Sequence, residues 1–417
     1  MTELINRTRR AEPRLEVAMA QMPVLGAIRE KFAADAPLSG HRLALCGHVT
    51  VETAVQVLTL VALGAEVAWC ASSASTTDSD VAELIRDRGV GVHGWRGMSE
   101  DDLLRGARDV LATWPEGPTL VLDEGAVLIT ALHQGPEDAP RPVLATEKTP
   151  DGLAALDRLA ARTPLRFPII KSDESFGKEA VDNPHGTAQS LLETILAVSG
   201  RLLAGKVFVI AGYGRVGAGL AERARGLGAR VIVTEVRPTR ALLAALDGYD
   251  VVPMAEAAPL GDFFCTVTGA PRVLRGAHLA RMRSGAVLAN GGHRPWEIDL
   301  DELDALTVRR RPSGPGSEWH VLADGRQLQL IGGGSIANLS AGRGNASEVM
   351  DVTFASQVLA LQLVLPRVAG LVPGLHPLPP ECDDFVAAAF ARALGITLPA
   401  ETPDLDAFTA VPVGGAR

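Results

Sequence analysis

The chain has 417 residues, 47% of them apolar, which exceeds the size at which one hydrophobic core keeps growing and is enough to fill two lobes. Net charge is −9, from 40 basic against 49 acidic residues, and no basic run reaches five. That excludes the electrostatic footprint of a nucleic-acid or anionic-lipid partner and leaves a small molecule as the default.

In chain order, the opening stretch "MTELINRTRRAEPRLEVAMA" is charged throughout and lacks the apolar centre and small-residue cleavage site of a secretory signal. From about residue 42, "RLALC", "AEVAWCA" and "VGVHGW" read as short strands, with "TVETAVQVLTLVALG" and "SDVAELIRDRG" as helices between them. "TLVLDE" at 119–124 and "RFPIIKS" at 166–172 extend the same series, so a parallel sheet covered by helices is expected. A second series follows "VDNPHG": a connecting helix "TAQSLLETILAVSGRLLAG", then "KVFVIAGYGRVGAGLAERARGLGARVIVTE", one strand–turn–helix–strand unit in 30 residues. "DFFCTVTG" and "GAVLANGGH" read as later strands of that second sheet. The apolar runs "VQVLTLVALGAEVAW" and "VLALQLVLPRVAGLV" are interrupted before membrane-spanning length, so no membrane partner and a cytoplasmic location are expected. Cys46, Cys70, Cys265 and Cys382 are far apart and unpaired in spacing, which argues for buried free thiols and against a metal or disulfide framework.

Three glycines, Gly212, Gly214 and Gly217, stand between a strand and a helix, where a dinucleotide fingerprint requires them, with Arg215 and Val216 inside the turn. The first makes the turn, the second admits the pyrophosphate, and the third lets helix pack on strand; the helix amino terminus then faces the phosphates. Glu235 ends the next strand 23 residues after Gly212, placed to bind the adenosine ribose diol of NAD and to repel a 2′-phosphate. Arg237 and Arg240 nearby blur that preference. The cluster "FGKEAVDNPHG" crowds Lys178, Asp182 and Asn183 together; taken alone it is an ordinary surface lysine–aspartate pair at helical spacing.

In order, "GHVTVETA", "VDNPHGTAQSLLETILAVSGRLLAGKVFVIAGYGRVG", "RVIVTEVRP", "TVTGA", "LANGGHRPWEID" and "ANLSAGRG" resemble the S-adenosyl-L-homocysteine hydrolase family, from about residue 38 to 365. The resemblance implies an α/β protein with a Rossmann-type NAD-binding domain and a discontinuous α/β substrate domain, closing over a cleft. The expected division is 1–186 substrate domain, 187–343 NAD domain, 344–377 return to the substrate domain and 378–417 a carboxy-terminal appendage for homo-oligomerisation. The family oxidises a nucleoside 3′-hydroxyl with bound NAD, which acidifies the C4′ hydrogen so that the 5′-substituent leaves; water then adds and the ketone is reduced. Lys178 and Asp182 match its base at the 3′-hydroxyl, and Asn183 an adjacent residue fixing the nicotinamide face. His48 matches an acid–base residue near C5′, with Thr50, Glu52 and Thr53 holding the nucleoside; from the residues alone, Thr50 is a helix cap. His293 matches a histidine near the leaving group, and Thr268, Asn290, Gly292 and Asn338 match positions lining nicotinamide and ribose.

The chain departs from the family pattern at the site. The catalytic aspartate is Glu124, the glutamate contacting the 2′-hydroxyl is Lys148, followed by Thr149, the cysteine near nicotinamide is Thr187, and the adenine-reading histidine is Asn345. The tail "DLDAFTAVPVGGAR" lacks the family's terminal lysine and tyrosine. These departures point to a specialised relative, a nucleoside dehydratase forming a 4′,5′-unsaturated adenine nucleoside; ordinary S-adenosyl-L-homocysteine hydrolysis, an inactive NAD-binding regulator and a generic NAD dehydrogenase are the other readings.

Overall fold

The computed structural model describes residues 2–136 and 138–399, with side chains from residue 10 onward; the tail "DLDAFTAVPVGGAR" lies outside the described residues. The chain forms two compact units: residues up to Glu179 together with those from Ser347 onward, and Ala180–Ala346. Those breaks fall seven residues before and three after the expected 186 and 343.

The first unit holds a seven-stranded parallel sheet built from β1 (Arg42–Gly47), β2 (Glu66–Ala71), β3 (Gly91–His93), β4 (Leu120–Asp123), β5 (Leu144–Glu147), β6 (Pro168–Lys171) and the late strand Gly374–Pro377. Their order is Gly374–Pro377, β6, β5, β4, β1, β2, β3, so the chain winds outward from β1 in one direction and from β4 in the other. The carboxyl edge between β1 and β4 is therefore the switch point, where an open α/β sheet leaves a crevice. Strand β5 is not apparent in the sequence: it is fully buried, yet two of its four residues, Thr146 and Glu147, are polar and mask the apolar run.

Helix Ser347–Val364 runs through this unit and is almost wholly buried. With its continuation to Gly370 it is long and apolar enough to cross a membrane by composition, but its most apolar stretch is 72% buried in the protein, the pattern of a core helix. Asp351 on it accepts the backbone N–H groups of Val24 (2.7 Å) and Leu25 (2.8 Å). Helix Pro23–Phe32 has no side-chain cap of its own, and this carboxyl satisfies two of its orphan donors. Within the expected carboxy-terminal appendage, helix Pro380–Ala393 buries Cys382, Phe385 and Val386, and Phe385 packs on Phe32 with ring centroids 6.2 Å apart, so this helix adds to the first unit's core. All four cysteines are free and buried, as expected.

The second unit holds β7 (Val207–Ala211), β8 (Arg230–Thr234), β9 (Asp250–Val251), β10 (Phe263–Thr266), β11 (Ala286–Asn290), β12 (Thr307–Gly314), β13 (Ser317–Leu322) and β14 (Gln327–Ile331). The order is β12, β13, β14, β11, β10, β7, β8, β9, parallel except for the β12–β13–β14 meander. Apolar clusters cover both faces, one around Leu191, Phe208, Leu220 and Phe263, the other around Val209, Phe264, Leu288 and Leu303. Burial on both faces explains the unbroken apolar run "VFVIA" of β7. Strand β12, "TVRRRPSG", is hidden in the sequence because it is an exposed edge whose side chains give no alternation.

Candidate active site

In the first unit, three residues that follow β1, β4 and β5 meet at the carboxyl edge. His48 Nε2 lies 3.4 Å and Lys148 Nζ 3.3 Å from the same atom, Glu124 Oε1. Glu124 Oε2 accepts the His48 backbone N–H at 3.3 Å, and His48 Nδ1 is 2.6 Å from the Thr76 hydroxyl. Lys148 is only 6% exposed and its ammonium stands 4.7 Å from the Phe354 ring centroid. A buried ammonium is tolerable because a carboxylate and a π face replace water on two sides. Gly47, Thr53, Gln56, Glu124, Lys148 and Phe354 line a narrow crevice at this edge.

Two carboxyl groups that the sequence alone did not single out build the floor of this site. Asp123 accepts the N–H groups of Glu124 (2.9 Å) and Ile129 (2.8 Å). Glu147, its register partner on β5, accepts from Gly125 (3.0 Å), Ala126 (2.8 Å) and Thr149 (2.8 Å), which fixes the turn at Ala126 in its left-handed conformation (φ 56°). Burial pushes Asp123 up to about 7, and burial with the charge of Asp123 pushes Glu147 up to about 8. In "LDE" and "ATEK" each stands one residue before an expected site residue, with nothing in the local sequence to mark it as buried.

Other expected nucleoside contacts have structural partners. Thr50 caps helix Val51–Ala62, accepting the Thr53 N–H at 3.4 Å, and Glu52 accepts the Ser347 hydroxyl at 3.1 Å. The buried Thr149 hydroxyl donates to Glu147 (2.7 Å) and accepts from Gly152 (3.0 Å) and Gly125 (3.1 Å), so it is engaged within the turn.

In the second unit, the order of strands puts the switch point between β7 and β10, beside the glycine turn. Gly212 has φ 101°, and a Cβ there would stand 2.9 Å from the Val267 carbonyl. A Cβ on Gly217 would stand 2.1 Å from the Gly212 carbonyl, whereas one on Gly214 would meet nothing nearer than Arg240 at 3.5 Å. The turn is thus closed where strand meets helix and open where a pyrophosphate would approach. Helix Arg215–Gly226 begins without a side-chain cap, leaving its N–H groups for an anion. Glu235 accepts from Tyr213 (2.9 Å), Val236 (2.7 Å) and Arg237 (2.8 Å). Burial opposes its charge, but the three N–H donors and Arg240 outweigh it and hold Glu235 below the usual carboxylate range. These features fit NAD.

The π-helical segment Gly177–Thr187 carries Lys178, Asp182 and Asn183. Asp182 is 1% exposed; Lys178 and Asn183 are half-buried. Next to Asn183, the Pro184 carbonyl accepts from Arg223 at 2.9 Å and lies 2.1 Å from where a Cβ on Gly219 would be, so the segment sits tightly on the helix that follows the glycine turn. The Asn345 amide donates to Asp182 Oδ1 (2.8 Å) and the Thr187 hydroxyl (3.2 Å).

Glu297, fully buried and not singled out by the sequence, accepts both the Thr268 hydroxyl (2.7 Å) and the Gly269 N–H (2.8 Å). Asn290, 0% exposed, accepts from Thr266 and Gly292 and donates to the Arg294 and Gly334 carbonyls, so its hydrogen-bonding capacity is spent inside the loop. Gly292 is required because a Cβ there would meet Glu297 at 1.7 Å. His293 is exposed on the loop after β11. Asn338 is 2% exposed; its amide nitrogen donates to Ser190, but its Oδ1 has no partner among the described residues. An orphaned buried acceptor costs about 1–3 kcal/mol unless a bound group supplies a donor, which is a second observation that fits the nicotinamide half of NAD.

Fold and site together define a two-unit α/β enzyme with one unit built for a dinucleotide. Residues 183–344 match the family model for the NAD-binding domain of S-adenosyl-L-homocysteine hydrolase, and residues 4–148 match the model for S-adenosyl-L-homocysteine hydrolase itself. The chain is 40% identical over 393 residues to an adenosylhomocysteinase of Gloeobacter violaceus, covering 94% of this chain and 91% of that one. An adenosylhomocysteinase of Aquifex aeolicus is 41% identical, with 92% of each chain covered, and an S-inosyl-L-homocysteine hydrolase of Methanopyrus kandleri is 39% identical, with 94% and 92% covered. Among solved structures, a dipicolinate synthase chain from Bacillus halodurans superposes with a TM-score of 0.50 at 15% identity over 78% of this chain and 99% of that chain, a likeness of fold. The chain belongs to the S-adenosyl-L-homocysteine hydrolase family, with NAD as its cofactor.

Proposed function

We propose that the enzyme cleaves the 5′-substituent from a nucleoside by way of a 3′-ketone, with S-adenosyl-L-homocysteine as substrate and adenosine and homocysteine as products. The observation that supports this most is the convergence of His48 and Lys148 on Glu124 Oε1 at the sheet's switch point. When bound, NAD supplies a reversible hydride acceptor for C3′ of the sugar. Asp182 takes the 3′-hydroxyl proton with Lys178 four residues before it on the same segment, and Asn183 holds the cofactor ring in register. Loss of the C4′ proton then expels the 5′-thiolate. His48, oriented by Thr76 and Glu124, protonates the leaving sulfur and deprotonates the water that replaces it.

A second reading is favoured by Lys148, an ammonium where the family places a carboxylate toward the 2′-hydroxyl: a dehydratase that expels water from an adenine nucleoside and leaves the 4′,5′-alkene. The relatives near 40% identity favour the first reading. Purified enzyme with NAD is incubated with S-adenosyl-L-homocysteine and with a panel of adenine nucleosides. Release of free thiol at enzymatic rates is the expected result; no thiol, with a product lighter by one water from a nucleoside, replaces hydrolysis by dehydration.

A further inference from the structure

Two of the positions at which this chain departs from its family's pattern, Thr187 and Asn345, are 158 residues apart in sequence yet meet on one atom. The Thr187 hydroxyl donates to Asp182 Oδ1 at 3.1 Å and the Asn345 amide donates to the same oxygen at 2.8 Å. The two donors also touch each other, the Asn345 amide nitrogen lying 3.2 Å from the Thr187 hydroxyl.

The Asn345 amide cannot turn over. Its oxygen accepts from the Ser190 hydroxyl at 2.8 Å and from the Asn338 amide at 3.2 Å. Reversed, it would set amide nitrogen against the Asn338 donor and amide oxygen against the Asp182 carboxylate, losing three hydrogen bonds and adding two repulsions. Ser190 is itself placed by its neighbours: its one hydroxyl proton lies within reach of the Thr187 carbonyl (3.2 Å) as well as the nearer Asn345 oxygen, and its oxygen accepts from Asn338 (2.9 Å). Every member of the chain Asn338–Ser190–Asn345–Thr187 is neutral and has its donor direction set by the next, and all of them end on the one carboxylate.

We infer that Thr187 and Asn345 are positioning residues for the oxidation step: a paired hydroxyl and amide that hold Asp182 in one orientation as the acceptor of the sugar proton. The inference rests on the reading that Asp182 acts at the 3′-hydroxyl. Asp182 is almost completely buried, so water cannot substitute for a lost donor, and a carboxylate turned by one rotamer no longer presents an oxygen within hydrogen-bond reach of that proton. Thr187 and Asn345 therefore act on the rate of hydride removal, through Asp182, and leave the glycine turn that holds the cofactor untouched.

The test uses NAD-loaded enzyme, adenosine or S-adenosyl-L-homocysteine as probe, and stopped-flow absorbance at 340 nm, which reads the oxidation alone. Thr187→Val, which removes the hydroxyl at constant shape, is expected to slow the rise about 10-fold or more, and Thr187→Ser to return it to within about threefold of wild type. Asn345→Asp, which sets a carboxylate against Asp182, is expected to slow it about 100-fold or more. NAD affinity by fluorescence titration is expected to stay within about threefold for the Thr187 variants. Rates equal to wild type in Thr187→Val and Asn345→Asp, or a loss of NAD affinity that accounts for the whole effect, would overturn the inference. A wild-type enzyme with no 340 nm signal on either probe would instead remove the reading beneath it, and the inference with it.

Discussion

The acid–base cluster in the first unit and the Asp182 network in the second both orient a buried carboxylate, one with charged partners and the other with a pair of neutral donors. Glu124 is held by charge, between an imidazole and a buried ammonium, each within 3.4 Å. Asp182 accepts from a hydroxyl and an amide, neither of which can ionise. A charged frame moves protons readily and collapses when one member is removed; a neutral frame only orients, and tolerates removal of one donor with a graded loss.

The largest expected effect follows from breaking the charged frame. Lys148→Met leaves Glu124 buried opposite no ammonium, which is expected to destabilise the first unit by about 3–5 kcal/mol and to abolish turnover. The double variant with Glu124→Gln should recover most of the stability and none of the activity, read by thermal melting and by product release. An unchanged melting temperature in Lys148→Met would show that the pair is not the frame.

Next comes Gly217→Ala in the second unit. The new Cβ would fall 2.1 Å from the Gly212 carbonyl, so the turn must open, and NAD affinity is expected to fall by about 100-fold or more in a fluorescence titration.

The units also differ in pH response. Asp123, Glu147 and Asp351, all in the first unit, have folded values raised by burial to about 7, about 8 and about 7. Between their unfolded values near 4 and these folded values, the folded state holds more protons than the unfolded one. Their contribution is therefore complete below about pH 4 and is lost as pH rises from there to the folded values of about 7 to 8, with a slope of up to about 1.4 kcal/mol per pH unit for each group. Asp123→Asn is expected to flatten the fall in stability between about pH 4 and 7, measured by denaturant unfolding; an unaltered slope would mean that Asp123 is ionised throughout.

The smallest effect is on cofactor choice. Glu235→Ser removes the carboxylate that would repel a 2′-phosphate, and with Arg237 and Arg240 adjacent it is expected to narrow the preference for NAD over NADP by about 10-fold.

The sequence displays its second unit more openly than its first. A dinucleotide turn is a local device, and "GYGRVG" with Glu235 carries its chemistry within 24 consecutive residues. The parallel sheets are legible for a similar reason, since strands buried on both faces must be apolar throughout. The frame of the active site is not legible. Asp123, Glu147 and Glu297 read as ordinary polar residues, because what buries them is backbone N–H groups contributed by turns that only the fold brings near. Asn345 reads as a base contact from its place in a motif, and only the Ser190 and Asn338 donors, 155 and 7 residues away, turn its amide toward Asp182.

The most direct measurement of the transient 3′-ketone follows the hydrogen at C3′. With S-adenosyl-L-homocysteine carrying deuterium at C3′ and the reaction run in ordinary water, the expected product is adenosine that retains the C3′ label, with no accumulation of reduced cofactor. Product that has lost the C3′ label to solvent, or NADH formed in step with product, would contradict an internal return of the hydride.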